Sequence, residues 1–301
     1  MVSTLVDLAD ADPRIVLLTG DLGFMALEPF AQRFPGRFFN VGVAEQNMVA
    51  MATGLAESGL IPYVYSIATF AALRPYEFIR NGPVQHHLPM RILAIGGGFE
   101  YGPAGHTHHA LEDVAVMRVQ PGMAVMAPAD AAQAAAVLRA TWDRQGPVYY
   151  RLGKREAPNV PGLDGAFEVG RLQVVRDGTD VAMVTLGPIA HEAVAAAQVL
   201  ESDGLSCAVL VLASVSPPPL DDLRSWLSRV ALLVTAEAHY SCGGIGSLVA
   251  EVIAEAGLPC RLVRCGVERG PGPVTGSEPW LLRQHGLTAE QLAGVVRAQR
   301  A

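Results

Sequence analysis

The 301-residue sequence is poor in charge: Asp, Glu, Lys and Arg make up 17% of it, and the balance is acidic, −7 at pH 7. Phosphate backbones require a basic surface, so nucleic acid is excluded as the main partner. No apolar run reaches membrane-spanning length, and the opening residues MVSTLVDLADADPR lack a basic-then-apolar signal pattern. No membrane partner is expected, and the expected location is cytoplasmic. The four cysteines, Cys207, Cys242, Cys260 and Cys265, show no CxxC pairing and read as free thiols of a cytosolic protein. Three phosphate signatures are also missing: GxGxxG after the first strand, GxxxxGK[ST] anywhere, and GDG followed at a distance by an asparagine pair. The run Gly20-Asp-Leu-Gly23 is none of these, and Gly243-Gly-Ile-Gly246 falls late in the chain without a basic partner.

Apolar mass is abundant. Half the residues are hydrophobic, and the mean hydropathy of +0.29 is high for a chain without a membrane segment. The excess reads as subunit interface. The 31 glycines and 21 prolines are scattered, which argues against a linker or a low-complexity chain. Short β-rich runs alternate with helical patterns. Strands are expected at Ile15–Thr19, Phe38–Val41, Pro62–Ile67, Met90–Ile95, from Ala124 and at Val148–Leu152. Helices are expected from Ala44 to Gly59, from Phe70 to Arg80 and from Ala131 to about Arg144. After a segment rich in Pro, Gly and charge (154–164), the series resumes with VAMVTLG, SCAVLVLA, ALLVTAEA and CRLVRCGV, separated by helical stretches. The fold class is therefore α/β: two tandem α/β domains with mostly parallel sheets, residues 1–157 and 165–301.

In open α/β sheets, ligands bind beyond the carboxyl ends of the strands. Polar residues of the first domain collect there: Asp21 after the first strand, Glu45 after the second, Thr69-Phe70 after the third, and GGGFEYGPAGHTHHALED after the fourth. Glu45 opens a helix, where a carboxylate gains from the dipole. Its neighbours Val41, Val43, Ala44, Met48 and Val49 are apolar. Such surroundings favour a neutral acid able to donate a hydrogen bond to a ring nitrogen of a heterocycle. Phe70 is either core or a face on which a flat ring stacks. The spacing His106-Thr-His108-His109 has the look of a metal site, but the remaining histidines offer no partner at ligand spacing. No metal ligand is assigned, and the loop's histidines read as hydrogen-bonding or acid–base groups facing a ligand.

Taken together these residues resemble the transketolase family of thiamine-diphosphate enzymes, and within it the pyrimidine-binding domain followed by the C-terminal domain. GVAEQNM is similar to the family's G-x-x-E element, SIATF to the segment entering the third-strand helix, and GPAGHTHHALED to its THQ loop. PGMAVMAPAD, VYYRLGKRE, VTLGPIAHEAVAAA, TAEAHYSCGGIGS and HGLTAEQL continue the likeness in order over essentially the whole chain. The resemblance implies that Glu45 bonds N1′ of the aminopyrimidine and promotes its imino form. It further implies that Phe70 stacks on that ring, that Asp21 approaches the cofactor across a subunit interface, and that His108, with His106 beside it, meets the substrate. Arg151 is the expected anchor for a substrate phosphate or carboxylate. A second aromatic of the pocket is replaced by Leu73, leaving Arg74 or Tyr76 to fill the space. Gly96-Gly97-Gly98 stands where relatives carry basic residues or histidine, implying an altered donor pocket.

The function so implied is transfer of a two-carbon ketol, or a related acyl carbanion equivalent, from a 2-keto donor to an acceptor, with thiamine diphosphate as cofactor. Mg2+ and the diphosphate would be held by a separate N-terminal subunit, in an α2β2 heterotetramer. Two alternatives stand beside it: a β-like subunit of a 2-oxoacid dehydrogenase, and a non-catalytic scaffold of the same fold.

Overall fold

The computed structural model describes residues 1–154, 158–270 and 272–300. The first-domain limit at residue 157, the Arg155-Glu156 end of VYYRLGKRE and the terminal Ala301 lie outside the described residues. In chain order the first half runs α1 (Val2–Ala11), β1 (Ile15–Thr19), α2 (Glu28–Arg33), β2 (Phe38–Asn40), α3 (Glu45–Glu57), β3 (Ile61–Ile67), α4 (Ala68–Leu73), α5 (Tyr76–Ile79), β4 (Arg91–Ile95), α6 (Asp113–Arg118), β5 (Ala124–Met126), α7 (Ala131–Thr141) and β6 (Val148–Leu152). The second half runs β7 (Gln173–Arg176), β8 (Val181–Thr185), α8 (Ala190–Ser202), β9 (Cys207–Val211), β10 (Ser214–Ser216), α9 (Leu220–Arg229), β11 (Leu232–Tyr240), α10 (Ile245–Ala256), β12 (Arg261–Val267), α11 (Glu278–Gln284) and α12 (Ala289–Arg300).

Two sheets result, ordered β10-β5-β6-β4-β3-β1-β2 and β12-β11-β8-β9-β7. All pairings are parallel except the two at edges, β10 on β5 and β7 on β9. The central strands are buried along their whole length because helices cover both faces. Alternate residues of β1 feed different cores: Val16 and Leu18 meet Met48 and Ala52 of α3, whereas Ile15 and Leu17 meet Leu5 of α1 and Phe30 of α2. The first of these cores is continuous with Val184, Leu210 and Val249 of the second sheet and its helices, so the two α/β units share packed interior.

The two-sheet architecture matches the expected one, with differences at its margins. Helix α1, apolar at Val2, Leu5, Val6 and Ala9, covers the sheet. The single helix expected over 70–80 is broken into α4, α5 and a π turn at Arg80–Val84. Pro75 lacks an amide donor, so the ladder stops at Arg74. Strand β10 belongs to the second half of the chain yet completes the first sheet. Cys207, Cys260 and Cys265 are buried free thiols, and Cys242 is exposed.

Candidate active site

Strand β1 lies between β2 and β3, so the chain leaves it towards β2 on one side and returns to β3 on the other through α3. This divergence opens a crevice at the strands' carboxyl ends. Glu45, the first residue of α3, points into it with only 1% of its surface exposed. Gly20, just past β1, lies so close that a Cβ there would sit 3.6 Å from Glu45 Oε1. The expected apolar setting is incomplete. Ser66 Oγ of β3 donates to Oε1 at 3.1 Å, and Arg74 Nη1 donates to Oε1 at 3.1 Å and to Oε2 at 3.0 Å. Glu45 is thus paired with Arg74 and Ser66 and is not enclosed by apolar groups alone, as its sequence neighbours suggest.

Phe70 of α4 forms the wall beside it. The Arg74 guanidinium carbon lies 3.8 Å from its ring centroid, and the His108 ring meets Phe70 edge-on at 5.0 Å. His108 follows the turn at Gly105, whose φ of +86° favours glycine. Its Nδ1 lies 3.0 Å from the Thr107 hydroxyl. Burial, and secondarily the charge of Arg74, lowers the His108 pKa below the usual imidazole value, which favours the neutral ring. His106 is exposed on the same turn, whereas His109 is buried, its Nε2 3.2 Å from the Gly102 carbonyl. Asp21 takes a left-handed conformation at φ +59°. Asn40 holds it there by a reciprocal pair: its Nδ2 donates to Asp21 Oδ1 at 2.9 Å, and its Oδ1 accepts from Asp21 N at 3.1 Å. Among the described residues, no group of three or more His, Cys, Asp or Glu is positioned to hold a metal ion.

Glu45, Phe70 and His108 are therefore brought together with Arg74, and Leu73, 36% exposed, flanks them on α4. Two other expected residues are turned elsewhere. The Tyr76 hydroxyl donates to Val116 O of α6 at 3.2 Å and accepts from Gln120, and its ring packs on the first core, so its polar end serves helix packing. Arg151 is 3% exposed. Its Nε donates to Asp113 at 3.2 and 2.9 Å, and its Nη2 donates to the carbonyls of Ala110 and Ala238 at 3.1 and 2.9 Å. An arginine so occupied joins β6 to α6 and β11, and it also lines a cavity with Gly97, Pro188 and His191. The triple glycine makes room for this joint. A Cβ on Gly97 would meet the Arg151 guanidinium carbon at 2.6 Å, one on Gly98 would meet the Ala238 carbonyl at 2.7 Å, and one on Gly96 would collide with the Tyr101 ring. The glycines answer to close packing, which accounts for them without reference to a donor. Asn40 and Ser66 escaped sequence reasoning. Only their places at or near strand ends hinted at a role.

Comparison with known proteins identifies the lineage. Residues 2–159 match the transketolase pyrimidine binding domain, and residues 170–292 match the transketolase C-terminal domain. The chain belongs to the transketolase family. It is 35% identical, over 97% of its length and 90% of the other's, to a 6-deoxy-6-sulfo-D-fructose transketolase subunit of a Clostridium species. It is 34% identical, over 86% of its length and 84% of the other's, to one subunit of the apulose-4-phosphate transketolase of Phocaeicola vulgatus. Among solved structures it resembles a split-gene transketolase described as an inactive β4 tetramer, with 39% identity, a TM-score of 0.88, and 99% and 95% of the two chains covered. This transketolase chain thus has the domain content of the second, separately encoded part of a split enzyme, and its family uses thiamine diphosphate.

Proposed function

We propose that this chain is the pyrimidine-holding subunit of a two-component transketolase, transferring a two-carbon ketol from a ketose donor with an anionic far end to an acceptor. The observation that carries this reading is the grouping of a buried carboxylate, a stacking ring and an imidazole at the carboxyl edge of the first sheet. The crevice fits the cofactor's aminopyrimidine, because it already accommodates a flat nitrogen-bearing group, the Arg74 guanidinium, between Phe70 and Glu45. When bound, thiamine diphosphate supplies carbanion chemistry at its thiazolium carbon. Glu45 holds and moves a proton at ring nitrogen N1′, with Ser66 fixing its carboxylate. Phe70 and Leu73 exclude water from one side of the ring. Neutral His108 hydrogen-bonds the substrate oxygen beside the reacting carbon, and exposed His106 faces the donor's far end.

The relatives' printed names, a phosphorylated and a sulfonated ketose, support an anionic donor. A partner subunit supplies Mg2+ and the diphosphate site, in an α2β2 assembly. In support, Phe24, Met25 and Val43, 73%, 96% and 71% exposed, stand in the loops after β1 and β2 on the site's rim, an apolar surface suited to that partner. The test is donor screening with the assembled two-subunit enzyme, cofactor and Mg2+. Ketol transfer from ketose phosphates or sulfonated ketoses is expected. Decarboxylation of 2-oxoacids alone would favour the dehydrogenase-type reading instead.

A further inference from the structure

The arginines of this chain fall into two kinds. Arg91 and Arg151 are 0% and 3% exposed. Each is fastened by several acceptors: backbone carbonyls of Met90, Trp142, Arg144 and Gly146 for the first, Asp113 and two carbonyls for the second. Arg74 is different. Its side chain is 41% exposed although its partner Glu45 is 1% exposed. Among the described residues, its hydrogen bonds come from one nitrogen only, Nη1, to the two Glu45 oxygens. Besides these bonds, the guanidinium stacks on the Phe70 ring, its carbon 3.8 Å from the ring centroid. It sits at the helix break between α4 and α5, as the C-cap of α4 just before Pro75.

The group it presents is planar and bears N–H donors on an amidine-like carbon. It lies on the ring and bonds the carboxylate that the proposed reading assigns to the cofactor's aminopyrimidine. We propose that Arg74 is a built-in occupant of the pyrimidine place, which must swing out before the cofactor seats. This rests on the proposed function above. The occupant also answers a need of the cofactor-free chain: a carboxylate buried as deeply as Glu45, with Ser66 as its one other side-chain donor among the described residues, is costly when unpaired. Cofactor binding then exchanges one flat N–H donor for another, and the observed affinity is reduced by the fraction of chains in which Arg74 is out.

The test is calorimetric titration of thiamine diphosphate, with Mg2+, into the full chain assembled with its diphosphate-binding partner, comparing wild type, Arg74→Ala, Arg74→Lys and Phe70→Ala. If the occupied state holds about nine chains in ten, Arg74→Ala tightens binding about tenfold. Arg74→Lys, which keeps the charge but loses the flat fork, falls between. Phe70→Ala weakens binding. Thermal melting gives a second readout. Arg74→Ala should melt lower than wild type without cofactor, and saturating cofactor should close the gap, since the arginine stabilises only the empty form. Unchanged or weaker binding in Arg74→Ala, with Phe70→Ala still weakened, overturns the occupant and leaves the site reading intact. If neither variant alters binding, the site reading fails and the occupant fails with it.

Discussion

At the scale of single residues, the proposed chemistry turns on Glu45. Glu45→Gln keeps the shape of the side chain but cannot shuttle a proton. Exchange of the thiazolium proton for deuterium in the assembled enzyme should fall by about two to four powers of ten, read by NMR. Wild-type exchange would reduce Glu45 to a helix-start acid. That Glu45, Phe70 and His108 gather at one sheet edge was legible in the sequence, because each is chemically conspicuous and follows a strand that reads clearly as one. The pairing of Arg151 was not legible because its acid, Asp113, lies 38 positions away and burial has no local signature. The packing of the three glycines was not legible for the same reason: what they make room for is Arg151, Ala238 and Tyr101, which only the tertiary fold brings near. Gly97→Ala follows from this. With a Cβ 2.6 Å from the Arg151 guanidinium carbon, overpacking should destabilise the fold by about 1–3 kcal/mol, measurable as a lowered urea midpoint.

At the scale of elements, the parallel strands were readable because strands covered on both faces are nearly continuous apolar runs. The break between α4 and α5 was not foreseen, although Pro75 stood in plain view. The helical spacing around it dominated the reading. Edge strands β7 and β10 carry no such run: β7 has only Gln173 buried and β10 is three residues long. Helix α7 shows how one side chain fastens an element at both ends of a loop. Asp130 caps it, Oδ1 accepting from Gln133 N at 2.8 Å, while Oδ2 accepts from Val160 N at 2.8 Å across the connection to the second half. Asp130→Ala leaves both amides unsatisfied. It should cost about 2 kcal/mol, near the upper end for a cap, whereas Asp130→Asn should retain the cap and lose less. Chemical denaturation of the two variants provides the comparison.

At the scale of the whole molecule, stability should respond to acid through the joint between the two halves. His239 of β11 is fully buried, its Nε2 accepting from Ala115 N at 3.3 Å, and burial pushes its pKa down to about 4. A lowered imidazole pKa means that the folded state favours the neutral ring. That contribution is complete above about 6.5, the unfolded value, and is lost as pH falls from there through about 4. Nearby Glu237 accepts the Ile245 and Gly246 amides at the start of α10, and burial raises it to about 7. Its contribution runs the other way, present at low pH and declining from about 4.5 upward through about 7. The isolating measurement is the urea midpoint of wild type minus that of His239→Gln across this range, expected to fall as pH drops from 6.5 to 4. A flat difference would show that His239 does not titrate with folding. The isolated chain should also bind thiamine diphosphate weakly. Tight, Mg2+-dependent binding by the lone chain in calorimetry would overturn the two-component assembly.

Strand β10 has a consequence for how the molecule is made. The first sheet's β5 edge stays open until Ser214–Ser216 arrive, after β7, β8, α8 and β9 have been synthesised. A ribosome must therefore translate through residue 216 before the earliest-made sheet can close. Until then, an unpaired strand edge is available to neighbouring chains. A fragment ending near residue 170 should express as aggregates, and one extended through residue 230 should be more soluble, as sedimentation of the two translation products would show.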